Sequence, residues 1–234
     1  MKIEAIVNVL LAIVCVVVIA VGVLELKSRL RGPRSGVPAV ETMQGLSLTL
    51  GPAAIVRKPA AALVLIEFSD YQCPFCGRYA RETFAQVQRE LVDVGKISYA
   101  FMNLPLQRAH PLAFKAAEAA ECAGDQGRYW EMHKVLFANQ PALTQPDLLS
   151  YAQAIGLDRV RFNACLNGQM VPRIDAQISE AHRLGIMSTP TFLIGETEPG
   201  GEVHLLRKIV GAQSLPLFTT TLDSLLRPPM SPLQ

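Results

Sequence analysis

Two cysteines, Cys73 and Cys76, lie at the junction between a predicted buried strand and a predicted helix. Residues 63–68 read Leu-Val-Leu-Ile-Glu-Phe, a short run rich in apolar, β-branched and aromatic side chains. Such a run predicts a strand covered on both faces, as in the centre of a partly parallel sheet. Apolar residues then recur at helical spacing over residues 74–94, and Gly95 follows as a stop signal. The chain therefore turns from strand to helix at the cysteine pair.

The placement of Cys73-Pro74-Phe75-Cys76 indicates redox chemistry. Unpaired N–H groups and the helix dipole favour an anion at a helix N-terminus, so they stabilise a Cys73 thiolate. Cys76 lies one turn further along, close enough to form a disulfide with Cys73. Pro74 suits the first helical position because it needs no N–H there. The motif predicts a reversible dithiol–disulfide centre that needs no cofactor.

Three other interpretations of the cysteine pair are open at this level. A zinc half-site would require two further Cys or His ligands at comparable spacing. His110 and His133 are isolated and no second paired motif is present, so we expect no metal. We expect His110, which precedes Pro111 at a helix start, to cap the helix or pack locally, and His133, in polar helical surroundings, to lie on the surface. The second interpretation is a permanent structural disulfide, and the third is a pair that occurs by chance. The strand–helix context favours the redox centre over all three.

Glu67 and Pro190 are the other candidate residues. Glu67 lies inside the predicted buried strand, where burial raises the pKa of a carboxyl group, so it is a candidate to exchange protons with Cys76. The alternative is an edge-strand carboxylate that points to water. Thr189-Pro190 precedes a later predicted strand, and a cis bond there would free the Thr189 backbone to pair with an extended peptide. Spacing alone favours an ordinary trans proline.

The rest of the chain predicts an α/β domain. Further strands are expected over residues 97–102, 191–195 and 203–210, with helical spacing over residues 110–187 and 215–226. This order fits a mixed central sheet flanked by helices. We expect one domain over residues 46–226, with a helical insert at about residues 105–187 and a tail over residues 227–234.

The N-terminal segment predicts membrane attachment. Residues 6–24 contain one polar side chain, Asn8, and would span about 28 Å as a helix. We expect an uncleaved anchor or signal over residues 1–26 and a linker over residues 27–45; a cleaved signal peptide is the alternative. The positive-inside rule alone would place the following domain in the cytoplasm, because four basic residues follow the apolar run: Lys27, Arg29, Arg31 and Arg34.

Four segments resemble the DsbA-like thioredoxin-fold family of thiol–disulfide oxidoreductases. They are residues 68–76 with the cysteine pair, residues 110–120, residues 126–133, and residues 189–192 with Thr189-Pro190. The dithiol, the helical block and the Thr-Pro segment occur in the order expected for that family. The resemblance implies a thioredoxin fold with an inserted helical domain.

The resemblance also assigns roles to the site residues. It implies that Cys73 is the exposed nucleophile, that Cys76 is the buried resolving thiol, and that Glu67 is the buried acid of the superfamily. Pro190 would be a cis-proline that faces the dithiol, and the backbone of Thr189 would help to hold the substrate. The family works outside the cytoplasm, which favours export of this domain despite the charge pattern.

Two residues depart from the strongly oxidising members of the family. Those members carry His where this chain has Phe75. Pro74 and Phe75 belong to the surface that is expected to bind the substrate. Phe cannot stabilise the Cys73 thiolate as imidazole does, so we expect a milder oxidant. Thr189, where other members carry Val, also occurs in isomerase-like relatives.

The five cysteines divide in a way that the resemblance explains. Some family members have a second, non-catalytic disulfide in the helical insert, and Cys122 and Cys165 match it; two buried free thiols are the alternative. Cys15 falls in the apolar N-terminal run and is expected to be unpaired. A disulfide in the insert would itself indicate an oxidising compartment.

The expected function is therefore that of a membrane-anchored, extracytoplasmic thiol–disulfide oxidoreductase, in the periplasm or at the cell exterior. Its partners would be thiol- or disulfide-containing protein substrates and a redox partner that resets the dithiol. A net charge of +2 gives no reason to expect nucleic acid. A reductase or isomerase of the same fold is one alternative, and a non-catalytic chaperone or assembly factor is another.

Overall fold

A computed structural model describes residues 39–51, 53–56, 61–198 and 201–226. The predicted membrane segment, Cys15 and the predicted tail over residues 227–234 lie outside these residues. Within the described part of the chain, no helix combines the length and the apolar character needed to cross a membrane.

The described residues form one mixed sheet and a set of helices. The strands are β1 (Val40–Thr42), β2 (Ser47–Thr49), β3 (Ala54–Val56), β4 (Leu63–Ser69), β5 (Ile97–Asn103), β6 (Thr191–Thr197) and β7 (Glu202–Val210). The helices are α1 (Pro74–Glu82), α2 (Phe84–Val87) with a π-helical turn (Gln88–Val92), α3 (Ala113–Gly124), α4 (Tyr129–Ala138), α5 (Gln145–Ala154), α6 (Arg159–Cys165), α7 (Val171–Arg183) and α8 (Leu215–Leu226).

Strand β4 lies inside the sheet, whose order is β1-β7-β6-β4-β5-β3 with β2 also on β7. It pairs parallel with β5 and antiparallel with β6, and every one of its residues is buried. The continuous apolar run is explained by this position, because both faces of the strand are covered. The prediction of a buried internal strand is confirmed.

The two faces of β4 belong to two separate hydrophobic clusters. Leu63 and Leu65 pack in the larger cluster, together with side chains of α1, β5 and helices α3 to α6. Val64 and Ile66 pack in the smaller one, against side chains of the N-terminal strands and of α7. Because side chains alternate along a strand, the odd-numbered residues of β4 face the cluster that contains the cysteines of α1.

Five helices, α3 to α7, occupy the chain between β5 and β6. This block corresponds to the helical stretch expected over residues 110–187. Helix α4 packs against both α3 and α1, so the helical block covers the helix that carries the cysteines.

The structure differs from the sequence expectation at two places. The single helix expected over residues 74–94 is divided at Thr83, whose φ of −115° departs from the usual helical value although its N–H still donates to Tyr79. Thr83 is β-branched, which lowers its helix propensity, and its Oγ1 donates to the carbonyl oxygen of Gln213 at 3.2 Å. The linker expected over residues 27–45 is also too long, because β1 already pairs with β7. Three-residue strands show no periodicity and form only because a partner strand is present.

Candidate active site

The loop between β4 and α1 is organised by the buried carboxylate of Asp70. Its Oδ1 accepts hydrogen bonds from the backbone N–H groups of Gln72 at 2.7 Å and Cys73 at 3.1 Å. Its Oδ2 accepts from the N–H of Leu106 and lies 2.8 Å from His110 Nδ1. The loop that presents the first cysteine is therefore held by side-chain bonds on both carboxylate oxygens, and His110 has the local packing role expected of it.

Cys73 is the N-cap residue of α1, with Pro74 in the first helical turn. The pKa of Cys73 is lowered to about 5: the hydrogen bond from the Cys76 thiol lowers it most, Thr189 and the backbone N–H groups of Cys76 and Phe75 also lower it, and burial opposes them. Its Sγ lies 3.4 Å from the carbonyl oxygen of Thr189. The residue is only 4% exposed, so the implied exposed nucleophile is wrong: Thr189 and the helix terminus cover most of the side chain. The Cys76 thiol and the helix terminus together stabilise a thiolate at the position that the sequence predicted.

Cys76 has the opposite electrostatic character. It is fully buried, and burial raises its pKa well above the usual value, with the neighbouring Cys73 adding to the rise. Both cysteines are free thiols in this structure. One sulfur of the pair is therefore poised as a thiolate while the other is held as a thiol, an asymmetry suited to disulfide exchange.

The Thr189–Pro190 peptide bond is cis and faces the cysteine pair. Beside it, Phe75 is 57% exposed, and the Arg78 guanidinium lies 5.2 Å from the centre of its ring. Met187 is 72% exposed. The Cys73 sulfur is thus bordered by the backbone carbonyl of Thr189, and Phe75 of the same motif presents an apolar ring to solvent.

Glu67 is buried at 2% exposure beneath the cysteine pair. Burial raises the pKa of its carboxyl group to about 7, while a hydrogen bond from the Tyr99 hydroxyl to Oε2 and an interaction with Ser69 oppose the rise. The charge of Glu67 in turn raises the pKa of Cys76. The alternative of an edge-strand carboxylate in water is wrong, because β4 is flanked by strands on both sides.

Gln140 was not identified from the sequence, yet it contacts the cysteine loop directly. Its Nε2 donates to the carbonyl oxygens of Tyr71 and Cys73, both at 2.9 Å, and its Oε1 accepts from Arg81. A Cβ at Gly77 would meet Gln140 Oε1 at 1.9 Å, so glycine is required there for this approach. No periodicity or motif marks Gln140, which follows α4 and reaches the loop only through the fold.

His133 was expected on the surface, and this expectation is wrong. The residue is 2% exposed, and burial lowers its pKa to about 3. Its Nδ1 lies 3.2 Å from the Tyr71 hydroxyl, and its ring packs edge-on against Phe101 and Phe137. The signal was present in the sequence, because Tyr129, His133 and Phe137 recur every four residues and share one helix face.

A disulfide joins Cys122 of α3 to Cys165 of α6, with their Cα atoms 5.8 Å apart. The bridge ties together two helices of the helical block, as the resemblance implies. Among the residues that the structure describes, no cluster of His, Cys, Asp or Glu could hold a metal ion. The zinc half-site interpretation therefore finds no further ligands in this part of the chain.

Comparison with known proteins agrees with this geometry. A thioredoxin family model matches residues 52–205. The crystal structure of α-DsbA1 from Wolbachia pipientis superimposes with a TM-score of 0.63 at 26% identity, over 76% of this chain and 92% of that one. Oxidised BdbD from Bacillus subtilis has the same fold, with a TM-score of 0.67 at 19% identity over 79% of this chain and 97% of that one.

Curated relatives of higher identity are much longer proteins. The Na(+)/H(+) antiporter NhaA 1 of Salinispora arenicola is 39% identical over 152 residues, which cover 64% of this chain and 23% of the antiporter. The chain thus spans less than a quarter of the length of that relative, and transport is a property of the antiporter. The match over residues 52–205 shows that this chain belongs to the thioredoxin family, and its fold is similar to that of α-DsbA1.

Proposed function

We propose that this protein oxidises thiols of protein substrates through a disulfide between Cys73 and Cys76. The observation that carries the proposal is the asymmetry of the pair. Cys73 caps a helix and is stabilised as a thiolate, whereas Cys76 is buried one turn behind it as a thiol. A disulfide whose outer sulfur becomes a stable thiolate on reduction accepts electrons readily, because the reduced form is stabilised.

The exchange then has two steps. A substrate thiolate attacks Cys73 Sγ, the Cys73–Cys76 bond breaks, and Cys76 leaves and takes up a proton. A second substrate thiolate attacks the substrate sulfur of the mixed disulfide and releases the Cys73 thiolate. Two substrate thiols are oxidised to a disulfide, and the protein dithiol is left reduced until a redox partner oxidises it again.

Glu67 is the proposed proton donor and acceptor for Cys76. The carboxyl group is buried, its charge acts on Cys76, and its pKa of about 7 allows it to exist in either protonation state near neutral pH. A group with a pKa near the working pH is suited to general acid–base catalysis.

The substrate would bind in extended form beside the cis Thr189–Pro190 bond. The carbonyl oxygen of Thr189 lies beside Cys73 Sγ and can accept a backbone hydrogen bond from a peptide that carries the reacting cysteine. Pro74 and the exposed ring of Phe75 would contribute apolar contacts on the other side of the sulfur. This arrangement supports protein thiols and disulfides as the substrate class.

We further propose that the domain works outside the cytoplasm, in the periplasm or at the cell exterior, held to the membrane by residues 1–26. The Cys122–Cys165 disulfide supports an oxidising compartment, because such bonds persist where thiols are not kept reduced. The location is tested by treating intact cells with a membrane-impermeant reductant, which opens the Cys73–Cys76 disulfide, and then with a membrane-impermeant maleimide. Labelling of Cys73 only after lysis would contradict it.

The activity is tested by refolding of reduced, unfolded ribonuclease with catalytic amounts of the oxidised protein. We expect regain of ribonuclease activity that Cys73→Ser abolishes, whereas Ser98→Ala, which changes a buried serine on the opposite face of the sheet, retains it. Insulin reduction without ribonuclease oxidation would instead indicate a reductase. Activity on scrambled ribonuclease alone would indicate an isomerase.

The redox potential of the Cys73–Cys76 pair decides whether the protein oxidises or reduces its substrates. A potential nearer to about −120 mV identifies an oxidant, and one near about −270 mV identifies a reductant. If the wild-type protein exchanges no disulfide in any of these assays, the proposed oxidase function fails and a chaperone or assembly role replaces it.

A further inference from the structure

The hydroxyl of Ser69 is buried between the two groups that must exchange a proton. Ser69 and Glu67 are two residues apart on β4, so their side chains leave the same face of the strand. That face packs on the cluster that contains Cys76 and Tyr99. Ser69 itself is 1% exposed.

Two polar atoms on this face have no fixed partner. Ser69 Oγ and Glu67 Oε1 are both buried and form no hydrogen bond of ordinary length with the described residues. The second oxygen of Glu67 is occupied by the Tyr99 hydroxyl. Buried polar groups without partners are rare in folded proteins and call for an explanation such as a catalytic role.

Ser69 interacts with both of the groups on either side of it. Burial raises the pKa of Glu67 and of Cys76, and the Ser69 hydroxyl opposes the rise in each case. A hydroxyl can accept one proton and donate another at the same time. A serine that faces both a carboxyl group and a thiol can therefore connect them.

We propose that Ser69 relays the proton between Glu67 and Cys76. When Cys76 leaves as a thiolate, a proton passes from Glu67 Oε1 to Ser69 Oγ while the Ser69 hydroxyl proton passes to Cys76 Sγ. The serine ends as a neutral hydroxyl, the carboxyl group becomes a carboxylate and the thiolate becomes a thiol. The reverse transfer prepares Cys76 for attack. The inference deepens the proposed function and rests on it.

The other titratable groups around this relay stay neutral over the range of the test. Tyr99 of β5, Tyr79 of α1 and Tyr71 of the loop all interact with Glu67, and burial raises the pKa of each phenol well above its usual value. Cys73 is the remaining group, and it is linked to Cys76 in the oxidised protein at the start of the reaction. A transition near pH 7 therefore reports Glu67.

The test compares Ser69→Thr with Ser69→Val, because these side chains share one shape and differ in the hydroxyl. Valine also fills the space that a water molecule would need. The measurement is the rate at which a small thiol of known pKa reduces the oxidised protein, expressed per thiolate, from pH 5.5 to 8.5. Rapid acid quenching and mass analysis follow the loss of the Cys73–Cys76 disulfide.

We expect the rate of the wild-type protein and of Ser69→Thr to fall as the pH rises through about 7, where Glu67 loses its proton. Ser69→Val should be about 100-fold slower at pH 6, the low end of the rate enhancement from general acid catalysis, and the difference should shrink to a few-fold at pH 8.5, where little of Glu67 keeps its proton. The rate of Glu67→Gln should likewise change little with pH. Adding Ser69→Val to Glu67→Gln should slow the reaction no further.

Ser98→Ala is the matched control, since it removes a buried hydroxyl from the opposite face of the same sheet, and its profile should follow the wild type. If the added methyl groups prevent folding, Ser69→Ala replaces the pair; it should lose rate at pH 6 by a smaller factor, because the smaller side chain leaves room for a water molecule, and a rate equal to the wild type there would overturn the relay. Identical pH profiles for Ser69→Val and Ser69→Thr, or additive effects of Glu67→Gln and Ser69→Val, would overturn the relay. A wild-type protein without any exchange activity would instead overturn the proposed function.

Discussion

Replacement of Glu67 by glutamine should raise the stability of the reduced protein above that of the wild type at pH values above 7. In acid, this pH-dependent gain over the wild type should be absent. The carboxyl group is 2% exposed, and burial raises its pKa from an ordinary 4.5 to about 7. The folded protein therefore holds a proton at this site more tightly than the unfolded chain does. Below pH 4.5 both states carry the proton, so burial of the charge has no cost there.

The cost develops as the pH rises from 4.5 to 7 and is complete above 7. The unfolded chain releases its proton in this range while the folded protein keeps it, so the free energy of unfolding falls with pH. At about 1.36 kcal/mol per pKa unit, the difference between 4.5 and 7 corresponds to about 3 kcal/mol. Glutamine carries no charge at any pH and can still accept the hydrogen bond from Tyr99, so it removes this cost.

Urea denaturation at pH 4 and pH 8 measures the effect, with the Cys73–Cys76 pair reduced and the Cys122–Cys165 bond checked by mass. At each pH, the free energy of unfolding of the wild type is subtracted from that of Glu67→Gln. This difference should be larger at pH 8 than at pH 4 by about 3 kcal/mol. For Ser98→Ala, the difference in free energy of unfolding from the wild type should be the same at pH 4 and at pH 8. A pH-independent effect of Glu67→Gln would refute the assignment of a raised pKa to this carboxyl group.

Three further predictions concern other parts of the site and its support. Alkylation of the reduced protein by iodoacetamide should occur first at Cys73, with a midpoint near pH 5; a midpoint at the free-cysteine value of about 8.5 would contradict the stabilisation of its thiolate by the Cys76 thiol and the helix terminus. Gly77→Ala should displace Gln140 from the cysteine loop and lower the melting temperature, whereas an unchanged melting temperature would show that Gln140 moves aside freely. Changing Cys122 and Cys165 together to alanine should reduce the free energy of unfolding by about 3–4 kcal/mol, from closure of a loop with a sequence separation of 43, and equal urea midpoints would contradict this.

Much of the redox site follows from local sequence patterns. The apolar run of β4 predicts its burial, the four-residue motif predicts a cysteine at the start of α1, and the position of Glu67 within the run predicts a buried carboxyl group. These inferences succeed because they depend on neighbours within a few residues. A strand followed at once by a helix places its loop residues without reference to the rest of the chain.

Inferences that depend on distant partners were wrong or absent. His133 was expected on the surface, but the helical block buries it against β5 and the cysteine loop. Strand β1 was expected to be linker, and it is ordered only by pairing with β7. The helix after the cysteines is divided at Thr83, whose hydroxyl donates to the carbonyl oxygen of Gln213, far along the chain. Each of these contacts joins segments that no local pattern connects.

Local chain geometry and alternation along one strand specify the dithiol, the strand–helix junction that activates Cys73, and the buried acid behind it. The surroundings of these groups come from the packing of elements that are distant in the chain. That packing places the Thr189 carbonyl oxygen 3.4 Å from Cys73 Sγ although the two residues are 116 positions apart, holds the cysteine loop through Gln140, and buries Ser69 Oγ on the side of the sheet that packs on the Cys76 cluster. The division arises because the reactivity of a thiol is set by groups within a few ångströms, and most of those groups reach it through contacts between separate elements.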